Sequence, residues 1–252
     1  MSEEVLTGGN VSGQVVRIGD TVRRQAGDWT PAVHALLDHL HAVGFRGAPR
    51  ALGLDEQGRE VLEYLPGAMA WPGWLDKLDD PAPLTAAGRL IREYHDAVAG
   101  FRPPPDARWQ RIWPDHGDEI IAHHDLAPWN LVLGERPAFI DWDGAAPGTR
   151  LWDLAYAAHG FVPLATWVDP SVQRARRLRS FVDAYGLDEA DRREFADMLA
   201  VPVRAMYDLL AHGHETGTQP WARLWDEGHG DTWRGDAEYL EARRETWLEA
   251  LL

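Results

Sequence analysis

The rhythm of apolar and polar positions changes about a quarter of the way along the chain, and that change predicts two units. In the first, Gln14-Val15-Val16-Arg17-Ile18 and Thr21-Val22-Arg23-Arg24 are short β-prone runs on either side of Gly19-Asp20, a hairpin signal. The Gly-rich residues 6–13 are expected to form a turn opening the same sheet. Next, Val33, Leu36, Leu37, Leu40 and Val43 recur at helical spacing. They follow Thr30, a good N-cap, and Pro31, suited to the first helical position, and Gly44 ends the run. Residues 51–54 and 60–65 predict two more strands around the turn Asp55-Glu56-Gln57-Gly58, and Pro66-Gly67 closes the unit.

Beyond residue 68 the periodicity becomes helical. Leu90, Ile91, Tyr94, Val98 and Phe101 form one stripe, stopped by Gly100 and Pro103-Pro104-Pro105. Short strands are expected at 119–122 and 138–140, with Leu131-Val132-Leu133 between them, and helices near 171–185, 188–213 and 235–251. Arg174, Arg176, Arg177 and Arg179 read as a solvated helix face. The expected organisation is a small β-rich lobe over residues 1–67 and a larger, mainly helical lobe over 68–252. A cleft between two such lobes is a usual home for a ligand.

The candidate chemistry lies where strands interrupt the helical half. A strand leads into His123-His124-Asp125, Asn130 follows five residues after Asp125, and a second strand ends at Asp141. Two carboxylates and an amide oxygen gathered at strand ends make a hard-oxygen pocket suited to Mg²⁺. The order Asp-x4-Asn followed by a strand-end Asp is also the arrangement that kinase-like folds use for phosphoryl transfer.

Three segments in order carry a resemblance: His123-x-Asp125-Leu126-x-Pro128-x-Asn130, then Ile140-Asp141-Trp142-Asp143, then Trp152-Asp153-Leu154-Ala155. Together they resemble the aminoglycoside phosphotransferase and choline kinase-like family. The resemblance implies a two-lobed, protein kinase-like α+β fold and an O-phosphotransferase that moves phosphate from ATP or GTP to a hydroxyl of a small molecule. It implies that Asp125 is catalytic and that Asn130 and Asp141 ligate Mg²⁺. His123 would brace the catalytic loop, Asp153 would hydrogen-bond that loop from behind, and Asp143 would support the metal site. Gly9, Ser12 and Gly13 would lie in the hairpin covering the phosphates, and Glu63 and Leu65 in the segment meeting the base.

Two departures from the family pattern stand out. Members usually grip the phosphates with a lysine on the third strand, paired with a glutamate on the following helix. Of the 25 basic residues here only Lys77 is a lysine, and it lies outside the small lobe; Arg24 stands at the matching strand end. The helix expected over 31–43 has Asp38 as its only acid, so the paired glutamate is missing there. In addition, His124 replaces the usual glycine of a His-Gly-Asp run. His95 reads as a packing or polar-bridging residue, and among the tryptophans only Trp129 and Trp142 adjoin the expected site.

Composition narrows the class further. At 252 residues, 45% apolar and with 13 Trp, the chain is not a disordered one. No run approaches 18 apolar residues, so no membrane partner is expected. The first ten residues carry two acids and no base, unlike a secretory signal. The absence of Cys excludes disulfides and thiol-ligated metals and permits a reducing, cytoplasmic setting. A net charge of −15 argues against a nucleic-acid partner and suits a cationic, aminoglycoside-like acceptor. The small lobe holds 9 acids and 6 bases and the remainder 31 and 19, so most of the excess lies where an acceptor would sit. Asp208, Glu215, Asp226, Glu227 and Asp231 are candidates to line its pocket, solvated helix faces being the plainer reading.

Two other classes remain. His124-Asp125 with His95 suggests a metal site of the His-Asp phosphohydrolase type, but that fold places the pair on a helix and here a β-prone run leads into it. A kinase-like binding protein, weak or inactive as an enzyme, fits the missing lysine.

Overall fold

The structure is a computed structural model that describes residues 3–6, 15–114, 116–167 and 173–252. Its first unit contains β1 (Glu4–Leu6), β2 (Val15–Ile18), β3 (Thr21–Gln25), α1 (Thr30–Ala42), β4 (Ala51–Leu54) and β5 (Arg59–Glu63). The five strands form one antiparallel sheet in the order β1-β2-β3-β5-β4. Gly19 turns the β2–β3 hairpin at φ +61°, a left-handed conformation that glycine adopts without strain. At the β4–β5 turn the Asp55 carboxylate accepts the backbone N–H groups of Gln57 and Arg59. The β3–β5 register sets Arg24 directly opposite Glu60. Gly9, Ser12 and Gly13 lie outside the described residues.

Helix α1 buries Val33, Leu36, Leu37 and Leu40, the stripe expected from the sequence. Thr30, however, sits inside the helix rather than capping it; Trp29 precedes it, and the Thr30 hydroxyl accepts the Gly27 N–H at 2.9 Å. The expected strand 60–65 ends at Glu63, because Tyr64 N–H turns to Asp20 O and Leu65 enters a buried cluster with Val132 and Ala138.

The second unit begins with β6 (Ala68–Met69) and α2 (Pro81–Val98), which Asp80 caps through the Ala82 N–H. Then come β7 (Ile120–Ala122), β8 (Leu131–Leu133), β9 (Ala138–Phe139), β10 (Ala146–Gly148) and α3 (Arg150–Phe161). Sheet β6-β8-β9 and the pair β10-β7 carry the loops between them. The chain finishes with α4 (Arg174–Tyr185), α5 (Glu189–Met198), α6 (Val201–Thr216), α7 (Trp221–Asp226), α8 (His229–Glu241) and α9 (Arg244–Leu251). The single helix expected over 188–213 is thus two, with Pro202 in the first turn of α6, where its missing N–H costs nothing. The helix expected over 235–251 is likewise divided, between α8 and α9.

One apolar core joins the units, from Leu36 and Leu40 of α1 through Ile91 and Tyr94 of α2 to Trp142, Phe161 and Phe181. Helices α2 and α4 approach so closely at Gly88 that a Cβ there would stand 2.8 Å from Phe181 O. The arginine face expected to be solvated is largely structural. Arg174 donates to the carbonyls of Pro163 and Ala165, Arg177 to those of Leu78 and Phe161, and Arg179 to Ala250 and Leu251; only Arg176 is exposed. These guanidiniums satisfy carbonyls left over at helix ends and in the loop after α3, a need that periodicity does not register. Among the described residues no helix is long and apolar enough to cross a membrane.

Candidate active site

Strand β7 ends where the site begins. Its three residues are buried, and β10 pairs with it antiparallel, Ala146 opposite Ala122 and Gly148 opposite Ile120. His123, His124 and Asp125 then leave the strand, and a short 3-10 turn, Pro128–Asn130, hands the chain to β8. Strand β9 returns it to Asp141, held at φ +62°, a left-handed geometry that Asp tolerates better than most side chains. The Ile140 N–H donates to Asn130 O at 2.9 Å, tying the two loops together.

Asp153, in the first turn of α3, braces this assembly from behind. One of its oxygens accepts the His123 N–H at 3.0 Å and the other the His124 N–H at 2.8 Å. His95 Nε2 adds a third contact at 3.2 Å, while its Nδ1 meets the Tyr185 hydroxyl at 2.7 Å. Burial alone would raise the Asp153 carboxyl, but the hydrogen bond and charge of His95 outweigh it and bring the pKa down to about 2. His123 is buried and kept neutral by desolvation. Its Nδ1 accepts the Asp125 N–H at 3.2 Å and its Nε2 donates to Ile140 O at 3.2 Å, so one ring bridges both loops.

His124 takes a backbone φ of +67°, which explains why a glycine is at home in this position. Its strain is offset by hydrogen bonds: Nδ1 donates to Gly144 O at 3.0 Å and Nε2 meets His116 Nε2 at 2.9 Å. His116 stacks on Trp152 and accepts the Thr149 N–H. Gly148 leaves room for this imidazole pair; a Cβ there would stand 2.5 Å from His116 and 2.8 Å from His124. His124 and Asp125 sit on a strand-to-loop turn and not on a helix, unlike the His-Asp metal-hydrolase arrangement.

In front, Asp125 is gripped by donors. Trp129 Nε1 donates to Oδ1 at 3.1 Å, Asn130 Nδ2 to Oδ2 at 2.7 Å, and the Tyr156 hydroxyl adds a third bond. Desolvation, then the charge of Asp141, nevertheless pushes its pKa up to about 7. The Asn130 amide nitrogen also donates to Asp125 O, which turns the amide oxygen away from Asp125. Asp141 Oδ1 accepts Arg24 NH1 at 3.0 Å and Asp143 Oδ1 accepts Arg24 NH2 at 2.6 Å. Burial raises Asp143 to about 6 in spite of that cation.

Arg24 also donates from Nε to Glu60, and the other Glu60 oxygen meets His34 Nε2 at 2.9 Å. The acid missing from the helix is therefore supplied by the neighbouring strand, and α1 contributes a histidine instead. Sequence reading missed Glu60, His34 and Tyr156. A register argument placing residue 60 across from residue 24 would have found the first of them.

Glu63 turns its carboxylate to the Arg50 N–H and to Arg136 at 2.7 Å. Leu65 packs with Val132, Ala138 and Ile140 as an apolar floor at the joint between the lobes. Around Asp125 the wall is aromatic: Trp129 packs edge-on against Trp71, which packs edge-on against the exposed Trp167. Of the acids proposed to line an acceptor pocket, Asp226 pairs with His214, Glu227 with Arg223 and Asp231 with Arg234.

The phosphotransferase enzyme family matches residues 106–197, which contain both loops and Asp153 behind them. The trifolitoxin immunity protein of Rhizobium leguminosarum bv. trifolii is 33% identical over 270 residues, covering 100% of both chains. Among solved structures, a choline/ethanolamine kinase family protein from Mesorhizobium loti superposes with a TM-score of 0.68 at 17% identity, over 98% of this chain and 92% of that one. A microcompartment-associated aminopropanol kinase gives 0.67 at 15% identity, over 99% and 94%. The gentamicin complex of APH(2")-IIa gives 0.57 at 12% identity, over 98% and 93%. With its loops, its brace and its two lobes arranged in this way, the chain belongs to the phosphotransferase enzyme family, as a small-molecule phosphotransferase of the protein kinase-like fold.

Proposed function

We propose that the protein transfers the γ-phosphate of ATP or GTP to a hydroxyl group of a small molecule, with Asp125 as its catalytic residue. The observation that carries this reading is the Asp125 carboxylate, fixed by three donors, with burial and Asp141 pushing its pKa up to about 7. A carboxylate offers about four acceptor positions, so one remains for an incoming hydroxyl. A pKa close to the working pH suits a group that takes a proton as a bond forms. Phosphoryl transfer asks the protein mainly for positioning and charge balance, and the brace behind the loop supplies the positioning.

The donors that face the cleft fit a divalent ion of the Mg²⁺ kind. Asn130 offers an amide oxygen and Asp141 a carboxylate, and so few protein ligands leave places for phosphate and water. When bound there, such an ion would offset phosphate charge. On this reading Leu65, Val132 and Ile140 form the surface under the base, Arg24 meets the phosphates, and Asp143 supports Asp141. Gly9, Ser12 and Gly13 would cover the phosphates. For the acceptor, the rings of Trp71, Trp129 and Trp167 favour a cationic amino compound, which aromatic faces attract. That support is better than the surface acids give, since Glu227 and Asp231 are paired with arginines and Asp226 with His214.

A second reading, a binding protein with little or no turnover, is favoured by one observation: Arg24 rests on the very carboxylate that would hold the metal. Titration with Mg-ATP and Mg-GTP separates the two, since no binding of either at millimolar concentration selects the second. For the first, labelled phosphate transfer is measured against a panel of amino alcohols, aminoglycosides and macrolides. Asp125→Ala is expected to lower transfer by at least ~10²-fold, and transfer near the wild-type rate in that variant defeats the mechanism.

A further inference from the structure

The two ends of the Arg24 guanidinium meet different parts of the molecule. Its Nε edge is bound to Glu60, whose side chain is only 1% exposed and whose position is set by strand register and by His34. Its NH1/NH2 fork rests on Asp141 and Asp143, which belong to the loop after β9 in the other lobe. The Arg24 side chain is 10% exposed, and three carboxylates surround its single charge. They hold it firmly protonated against the desolvation that opposes it. A planar fork of this kind matches carboxylate and phosphate equally well.

No acid on α1 shares in this arrangement, since Asp38 is exposed. The cation and its carboxylate holder lie on adjacent strands of one sheet, and α1 enters the arrangement only through His34. A divalent ion drawn to Asp141 meets a guanidinium already bonded to Oδ1. Two cations on one carboxylate repel each other, so an ion there weakens the hold of Asp141 on the fork. The Nε edge gives Arg24 a place to remain while its fork moves.

We propose that Glu60 and His34 hold Arg24 as a cation with two positions. In the free chain its fork occupies the Asp141 and Asp143 carboxylates; when nucleotide and divalent ion arrive, the fork passes to the phosphates. The metal and the nucleotide therefore bind together, and the ion alone binds weakly. Glu60 and His34 are positioning residues, acting through Arg24. The nucleotide half of this inference rests on the phosphotransferase reading; the metal half does not.

The test is Mn²⁺ binding to the full chain, read from the free-ion paramagnetic resonance signal, without nucleotide and then with a non-hydrolysable ATP analogue. In the wild type the analogue should tighten Mn²⁺ binding at least tenfold. Arg24→Gln should bind Mn²⁺ alone at least tenfold more tightly than wild type and show little further effect of the analogue. Arg24→Lys, which keeps the charge without the fork, guards against a folding defect and should fall between the two. His34→Ala should weaken the coupling and His34→Gln, which keeps a donor toward Glu60, should restore it. Equal loss in both His34 variants removes the positioning role. Unchanged Mn²⁺ affinity in Arg24→Gln and Arg24→Lys, with nucleotide still bound, overturns this inference alone. Failure of the wild type to bind nucleotide overturns the phosphotransferase reading, and with it the coupling.

Discussion

The two sides of the loop after β7 treat buried aspartates in opposite ways. Behind the loop, Asp153 faces two backbone N–H groups and His95, and its pKa falls to about 2. In front, burial pushes Asp125 up to about 7 and Asp143 up to about 6, and the charge of Asp141 adds to both. The burial penalty is of one kind on both sides; what differs is the ratio of donors to charges. The rear is a satisfied network that fixes the loop. The front keeps negative charge close together, which a stable fold would avoid and a site for cations and a transferring proton requires.

Breaking the rear should have the largest effect. Asp153→Ala removes the acceptor for His123 N–H, His124 N–H and His95 at once, and losing buried partners of this kind costs about 3 kcal/mol. In a domain of this size that lowers Tm by roughly 10 °C; a thermal scan showing a shift below ~2 °C would refute the brace.

At the front the sign reverses. The folded Asp125 carboxyl titrates at about 7 and an unfolded one near 3.8, so ionisation opposes folding. That penalty is absent below the unfolded value, grows as pH rises through the interval and is complete above the folded value. Asp125→Asn should therefore abolish activity yet stabilise the protein at pH 8 by about 1–2 kcal/mol, with a smaller gain at pH 5. Paired unfolding curves at the two pH values check this, and a loss of stability at pH 8 contradicts it.

The smallest effect belongs to His124, at the boundary between the two sides. Desolvation, partly opposed by Asp153, brings its pKa down to about 4, so the folded ring stays neutral where an unfolded one at 6.5 takes a proton. Its stabilisation is whole above pH 6.5 and is lost as pH falls toward 4. The neighbouring groups agree with a neutral ring: Gly144 O accepts from Nδ1, and His116, itself accepting the Thr149 N–H, donates to Nε2. His124→Gly should flatten this acid-side slope and cost under ~1 kcal/mol at pH 7.5, because glycine relieves the positive φ. An unchanged slope in denaturant melts between pH 4 and 6.5 would show that another group carries it.

Strong periodicity made the helices with one buried face legible, α1 and the C-terminal half of α2 above all. It said nothing of β6 and β10, which are two and three residues long and exist only because β8 and β7 offer partners. It misjudged Arg174, Arg177 and Arg179, since a charged residue that reaches leftover carbonyls looks like any other polar position in a helical wheel. The order of Asp125, Asn130, Asp141 and Asp153 was legible because short connections place strand ends side by side. Glu60, 36 residues from Arg24, was not, because sheet register brings them together and nothing local marks it.

Sequence by itself therefore determined the two-lobed fold, the family and the residues from which the candidate site is argued. Those follow from local periodicity and from residue types at fixed spacing. It also determined that no lysine of the small lobe can grip phosphate. Only the tertiary structure decided what surrounds Arg24 at the matching strand end: Glu60 from the next strand, linked to His34 of α1, with the fork on Asp141 and Asp143. Charges buried together set one another's protonation and position, and that balance exists only once distant segments share a low-dielectric space.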